Sequence, residues 1–341
     1  MKNLLKELCL AFGPSGYEYD VKAIIKARLE AIASPECEII EDNLGGIYFH
    51  IPKKDAPRLM INAHMDEIAL MVTGATDSGE LRFERVGGID PIVLLSKRVV
   101  SENGIKGVIS SKPIHLLDKE ERKKSPRVDK MQIDIGARDK KEALDACPIG
   151  TYFAFDSDFV EMGKKIKAKA LDDRHGCAEM LSAIEKLALD GFKTKYDLYF
   201  AFTTREEVSY SGANCATEII RPDYAIVIES KAVLDLPGVD EDKGVASLGD
   251  GALISYADRG AIMDRGLTES IIDTCVKNSI KYQINRSVSG GNDSATIQRG
   301  ALGTRVALVS APSRYIHSPS SVVDFDDLVA IRDLIFSFVK E

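Results

Sequence analysis

The sequence contains no tryptophan and no Cys-x-x-Cys pair. None of its apolar runs approaches the roughly 20 residues that cross a bilayer as a helix. Each absence excludes something. Without Trp, a common stacking platform for sugars is missing. The six cysteines (Cys9, Cys37, Cys147, Cys177, Cys215 and Cys275) are widely scattered, so a disulfide framework or a structural zinc site is not expected, and they read as reduced, mostly buried thiols. Positive charge is also in deficit, with 45 Lys and Arg against 53 Asp and Glu and a net charge of −8. That balance argues against broad nucleic-acid binding. The opening residues Met1–Glu7 lack the apolar core and small-residue cleavage site of a signal peptide. The expectation is a soluble cytoplasmic protein with no membrane partner.

What is present is ordinary for a globular chain: 341 residues, 45% hydrophobic and 29% charged. That length exceeds a typical single core, so two domains, or one domain carrying a large insertion, are expected. Residues 3–11 predict a short amphipathic helix ending at Gly13-Pro14. Ser15-Gly16-Tyr17-Glu18 then reads as a capping box opening a second helix, with Val21, Ile24, Ile25, Leu29 and Ile32 as its apolar face. Strands are predicted over 37–41, 46–51 and 58–63. From about residue 69 to 160 the pattern changes to short alternating segments, such as 81–86, 98–101 and 107–110, broken by Gly and Pro. That pattern predicts a small all-β unit inserted into a larger domain formed by 1–68 and 161–341. Within it, 117–130 mixes charges of both signs and reads as a solvated loop. Beyond residue 165, helices near 177–189, 215–220, 268–278 and 326–340 alternate with strands at 196–202, 224–228, 253–256, 281–285 and 305–309. Such alternation implies a sheet covered by helices on both faces.

The chemistry-bearing residues gather at the predicted strand ends. Tyr196–Phe202 is an apolar run followed by Thr203-Thr204-Arg205-Glu206-Glu207. Adjacent carboxylates after a buried strand are costly unless they are paired or bind a metal, and one could act as ligand while the other acts as a base. Ala63-His64-Met65-Asp66 adds an imidazole with a carboxylate two residues on that could orient its second nitrogen. Asp172 precedes a helix, Glu229 follows the predicted strand 224–228, and His317 lies near the C-terminus. Open α/β sheets collect their sites at such ends. Each also has an ordinary reading: a satisfied core histidine, a helix cap, a loop start, a surface residue.

Taken in order, the motifs Phe12-Gly13-Pro14-Ser15-Gly16-Tyr17-Glu18, Ala63-His64-Met65-Asp66-Glu67, Ile133-Asp134-Ile135-Gly136-Ala137, Ala170-Leu171-Asp172-Asp173-Arg174, Glu206-Glu207, Gly290-Gly291-Asn292-Asp293 and Arg314-Tyr315-Ile316-His317-Ser318 resemble the tetrahedral metallo-aminopeptidases. Members of that family also carry the names glutamyl aminopeptidase and, misleadingly, cellulase M. The resemblance covers nearly the full length. It implies an α/β fold of the zinc-exopeptidase type, a helix-covered mixed sheet with an inserted small β-barrel that mediates dimerisation. It implies two divalent ions per subunit, zinc or cobalt, with manganese also compatible with an oxygen and imidazole donor set. His64 and Glu229 would hold one ion, Glu207 and His317 the other, with Asp172 shared. Glu206 would be the general base, and Asp66 the partner that orients His64. Gly290 and Gly291 would help shape the substrate pocket. At the position of Glu229 the family more often has Asp.

The activity implied is release of N-terminal residues from short peptides, with six dimers enclosing a hollow tetrahedral dodecamer. Two alternatives remain at this level. One is a related metal-dependent amidohydrolase acting on N-acyl amino acids. The other is a catalytically silent assembly subunit, against which the intact set of His64, Asp172, Glu206, Glu207 and His317 counts. A cellulase is disfavoured, because a carboxylate pair that could serve glycoside hydrolysis would leave both histidines unexplained.

Overall fold

The apolar runs of the sequence form the centre of one mixed sheet in the computed structural model, which describes residues 1–120, 123–236, 238, 246–300 and 302–340. Helices α1 (Lys2–Leu10) and α2 (Tyr19–Ile32) come first, then strands β1 (Glu38–Glu41), β2 (Ile47–Ile51) and β3 (Arg58–His64). The next segment carries β4 (Ala69–Ala75), β5 (Leu81–Val86), α3 (Pro91–Leu94), β6 (Arg98–Ser101), β7 (Lys106–Ser110), β8 (Gln132–Asp134), α4 (Lys140–Ala146) and β9 (Tyr152–Phe155). The chain then returns through β10 (Val160–Met162), β11 (Lys165–Ala168), α5 (Leu171–Leu189), β12 (Asp197–Thr203), α6 (Glu206–Ser209), α7 (Ser211–Ile220) and β13 (Tyr224–Ala232). It ends with β14 (Ala252–Ser255), α8 (Arg265–Lys277), β15 (Tyr282–Ile284), α9 (Ser294–Ile297), β16 (Arg305–Arg314), β17 (Ser321–Asp324) and α10 (Phe325–Val339).

Among the described residues the large sheet runs β1-β2-β12-β3-β13-β16-β17-β11-β10, with β14 and β15 attached at β16. Its heart is parallel, because β12 and β13 flank β3 and β16 continues beyond β13 in the same direction. The outer strands are antiparallel. Central strands are buried on both faces, which is why Leu198–Phe202 and Leu59–Ala63 read as continuous apolar runs rather than alternating ones. One face packs on α1, α2, α5, α8 and α10 through residues such as Leu5, Ile25, Leu181 and Ile331. The other packs on α7 and α9 through Ala213, Ala216, Ile220 and Ile297. Among the described residues, no helix is long and apolar enough to cross a membrane.

Strands β4-β5-β8-β7-β6-β9 close into a barrel. Alternating residues (Leu70 and Val72, Leu81 and Phe83, Ile133, Phe153 and Phe155) fill its interior as a core separate from that of the sheet. The fold is therefore the expected α/β architecture with a small inserted β-barrel. It is not purely β: Asp139 caps α4 by accepting from the Glu142 N–H, and Asp90 does the same for α3. In the charged stretch 117–130, Glu121 and Arg122 lie outside the described residues, and the rest is largely exposed.

Two local expectations are corrected. Ser15 and Glu18 do not form a capping box, since α2 starts without a side-chain cap. Ser15 Oγ instead donates to Asp66, and Glu18 accepts from the nearby Gly16 N–H and the distant Arg205 N–H, so each side chain has a tertiary partner. Glu229 does not follow its strand either: β13 continues to Ala232, with Glu229 opposite Ser310 of β16. Three polar residues extend the strand because β16 supplies the ladder.

Candidate metal centre

Register places the site. His64 ends β3 directly beside Thr203, the last residue of β12. Val227 of β13 lies opposite Asn62, so Glu229 stands level with His64. Arg205, with φ of +60°, turns the chain from β12 into α6. That turn is held by carboxylates: Asp66 accepts from the Glu206 N–H at 3.0 Å and the Glu207 N–H at 3.2 Å, and Glu18 accepts from the Arg205 N–H at 3.2 Å. Asp172 precedes the regular part of α5, where Asp172 and Asp173 depart from helical torsions and are joined by a cis peptide. His317, with φ of +59°, lies between β16 and β17.

The structure brings seven of the residues singled out from sequence into one cluster. His64 Nε2 lies 3.5 Å from Asp172 Oδ1, 3.7 Å from Glu229 Oε1 and 4.0 Å from Glu206 Oε2. His317 Nε2 lies 3.4 Å from Asp172 Oδ2 and 3.3 Å from Glu207 Oε2. Two groups with metal-holding geometry result, His64–Asp172–Glu229 and Asp172–Glu207–His317, with all donor atoms of each within 4.8 Å of one another. Asp172 belongs to both and gives each imidazole a different oxygen. Glu206 belongs to neither. His64 Nδ1 faces Asp66 twice, at 3.2 Å from its carbonyl and 3.4 Å from its carboxylate.

The electrostatics describe a cluster short of positive charge. Burial first, then the charge of Glu229, pushes the Glu206 carboxyl well above its ordinary range. Burial and then Asp172 do the same to Glu229, and burial raises Glu207. Burial disfavours the charged forms of both imidazoles, yet the carboxylates around them prevail. Asp172, Asp66 and Glu229 hold His64 well above its usual value, while Asp172 and Glu207 bring His317 to about 11. Burial opposes ionisation of Asp172, but contact with His317 and His64 keeps it well below the usual range. Proteins rarely bury this much carboxylate without a compensating cation. Asp172 Oδ1 is buried without a hydrogen-bond donor, and the donors are oxygen and imidazole nitrogen without thiolate, a set that fits zinc, cobalt or manganese.

Gly290 and Gly291 lie at the rim. A Cβ on Gly290 would sit 3.6 Å from Lys231 Nζ, and one on Gly291 would sit 3.5 Å from the Tyr210 hydroxyl. Other contributors escape a sequence reading. Gly88, in the barrel segment, accepts from His317 Nδ1 at 2.6 Å, so the insertion braces a cluster residue. Asp293 is buried under the site, receiving hydrogen bonds from Asn62 and Thr203. Its place in Gly290-Gly291-Asn292-Asp293 is the only sequence signal. Lys169, Glu67 and Arg174 form a buried ion cluster behind the cluster, with Lys169 2.6 Å from Glu67. Glu67 and Arg174 end two of the quoted motifs, but no local pattern pairs them with each other or with Lys169.

Comparisons with known proteins place the fold and the family. An aminopeptidase structure from the marine sediment archaeon Thaumarchaeota archaeon SCGC AB-539-E09, described as a TET aminopeptidase, superposes with a TM-score of 0.95 at 32% identity, covering 100% of this chain and 96% of that one. An aminopeptidase from the archaeon Desulfurococcus kamchatkensis gives 0.92 at 33% identity over 99% and 94% of the two chains. The TET1 peptidase of Pyrococcus horikoshii, described as able to assemble into a tetrahedron or a large octahedral shell, gives 0.87 at 32% identity over 100% and 99%. The sequence model of the M42 glutamyl aminopeptidase family matches residues 45–334. With that match spanning most of the chain, this protein belongs to the M42 glutamyl aminopeptidase family and is a metallo-aminopeptidase.

Proposed function

We propose that the protein is a dinuclear aminopeptidase that releases N-terminal amino acids from short peptides. The observation that carries this reading is the pair of donor groups sharing Asp172. His64 and Glu229 would hold one divalent ion, Glu207 and His317 the other, with Asp172 between them. When bound, two such ions polarise a scissile carbonyl and make water acidic enough to serve as nucleophile near neutral pH. Glu206, outside both groups and 4.0 Å from His64 Nε2, would be the general base, accepting a proton from water and returning it to the leaving amine. Asp66 keeps Glu206 and Glu207 in place through their backbone N–H groups. Gly290 and Gly291 keep the rim open for the first residue of the substrate, since glycine lets backbone approach closely.

The test is a panel of free-amine and N-acetylated aminoacyl amides, assayed after reconstitution with zinc and then cobalt. Cleavage of the free-amine series alone, abolished by a chelator and restored by metal, is the expected result. Cleavage restricted to the acetylated series would replace the aminopeptidase by a deacylase.

Lys231 supports an acidic first residue. It lies two positions beyond Glu229 on β13, hence on the same face of the strand. Its ammonium bonds the carbonyl and hydroxyl of Ser289. Asp258, an adjacent carboxylate, is occupied by the N–H groups of Gly260 and Ala261 and by Asn292 and Ser294. An incoming glutamyl carboxylate would pair with Lys231. Lys231→Met is expected to lower kcat/KM for glutamyl relative to alanyl substrates by roughly ten- to a hundred-fold, the worth of a hydrogen bond to a charged group. An unchanged ratio would remove Lys231 from recognition.

For assembly, we take residues 69–160 as the dimerisation unit and a tetrahedral dodecamer as the product. The behaviour of the Pyrococcus horikoshii relative supports this, as do the exposed apolar side chains Ile92, Val108 and Ile149 on the inserted unit. Replacing 69–160 by a short linker should leave only smaller species in light scattering, and a dodecamer that survives would refute the assignment. The six free thiols suit a reducing compartment, and we place the protein in the cytoplasm.

A further inference from the structure

Behind the proposed metal centre, α5 buries an imidazole that the mechanism above does not use. His175 and Glu179 lie one helical turn apart, both with no exposed surface, and His175 Nδ1 is 3.1 Å from Glu179 Oε1. The other ring nitrogen, Nε2, is 3.0 Å from Ser230 Oγ and 3.3 Å from Asp173 Oδ1. Each of these neighbours adjoins a proposed ligand and holds one. The Ser230 N–H donates to Glu229 Oε1 at 2.9 Å, and Asp173 Oδ2 accepts the His64 N–H at 3.2 Å. One ring therefore meets a residue that holds the Glu229 carboxylate and one that holds the His64 backbone, while Asp66 faces the His64 ring itself. The link from His175 to the other side is indirect, running from Asp173 through the chain to the shared Asp172, while His317 is braced by Gly88. Elsewhere α5 meets the core with apolar residues such as Leu181 and Ile184. Burying an ionisable pair there, with Glu179 Oε2 left unpartnered, is costly.

We infer that His175, held by Glu179, is a positioning residue for the His64–Glu229 half of the metal centre, acting through Ser230 and Asp173. This rests on the ligand reading proposed above. Groups that orient ligands typically change metal affinity when lost, and because the direct contacts fall on the His64–Glu229 side, that binding step should respond far more than the other.

The experiment titrates metal-free protein with Co(II), follows the visible absorption bands, and competes the bound ion with a chelator. Glu229→Ala and His317→Ala each identify the step belonging to their side. His175→Ala is expected to weaken the His64–Glu229 step by about ten- to a hundred-fold and to leave the other within about twofold. His175→Gln, which keeps a polar atom for Ser230, should lose less. Ser230→Ala, which removes the hydroxyl and keeps the N–H, should reproduce part of the loss and covers the case in which His175→Ala does not fold. Equal weakening of both steps would mean general loosening and would overturn the inference, as would no change in either. If Glu229→Ala leaves both steps intact, the ligand reading itself fails. If it removes one step that the His175 and Ser230 variants spare, the inference alone fails.

Discussion

Glu206→Gln is expected to lower kcat by at least about a hundred- to ten-thousand-fold, the usual contribution of a positioned general base, with metal content unchanged from wild type. Glutamine keeps the length and hydrogen-bonding reach of the side chain but cannot accept the proton. The reason to expect intact metal is geometric. Glu206 lies outside both donor groups, whereas Glu207, its neighbour in sequence, faces His317. The two side chains diverge because both open α6, where consecutive residues point about 100° apart around the helix axis. Elemental analysis beside single-turnover kinetics separates the outcomes. Loss of metal together with activity would make Glu206 a ligand and exchange the roles assigned to the pair. Retained turnover would require another base, and the buried Asp293, itself raised to about 6 by burial, would be the first residue to examine.

The parts of this site that could be read in the sequence are those announced by a change of pattern. Tyr196–Phe202 and Arg58–Ala63 are apolar runs that stop at charged residues, so His64, Glu206 and Glu207 stood out as strand-end groups. The same logic misplaces Glu229. The polar run Glu229-Ser230-Lys231 looks like the end of a strand, but pairing with β16 carries the strand through it, and a single sequence does not show which strand will lie alongside. Ser15 and Glu18 matched a local motif whose partners proved to be tertiary. The alternating short segments after residue 69 announced strands, whereas closure into a barrel depends on β9 returning to β4, a pairing of residues some 80 positions apart. His175 was invisible for a different reason: a histidine inside an amphipathic helix has no signature until its neighbours are known.

Arg174→Met should be strongly destabilising. Arg174 has no exposed surface, and its guanidinium donates to the carbonyls of Leu8, Gly13 and Met65 while lying 3.4 Å from Glu67. One side chain thus joins the end of α1, the loop before α2 and the residue between His64 and Asp66. Gly13 is required for this, because a Cβ there would stand 2.6 Å from Arg174 Nη2 and 2.7 Å from Val21 Cγ2. Methionine fills much of the volume but offers no donor, so buried carbonyls go unsatisfied and Glu67 is left to Lys169 alone. Removing one partner from a buried ionic group typically costs about 3–5 kcal/mol, which in a chain of this size corresponds to a fall of roughly 4–7 °C in the melting temperature. Buried ionic groups can sometimes be exchanged for apolar ones without loss when all members are replaced together. A melting temperature within about 2 °C of wild type would therefore show that Lys169 alone satisfies Glu67 and that the carbonyls find other donors. If the loss is as large as expected, added divalent metal should recover part of it. Under the ligand assignment only the folded chain binds tightly, and the loosened segment is the one that carries His64.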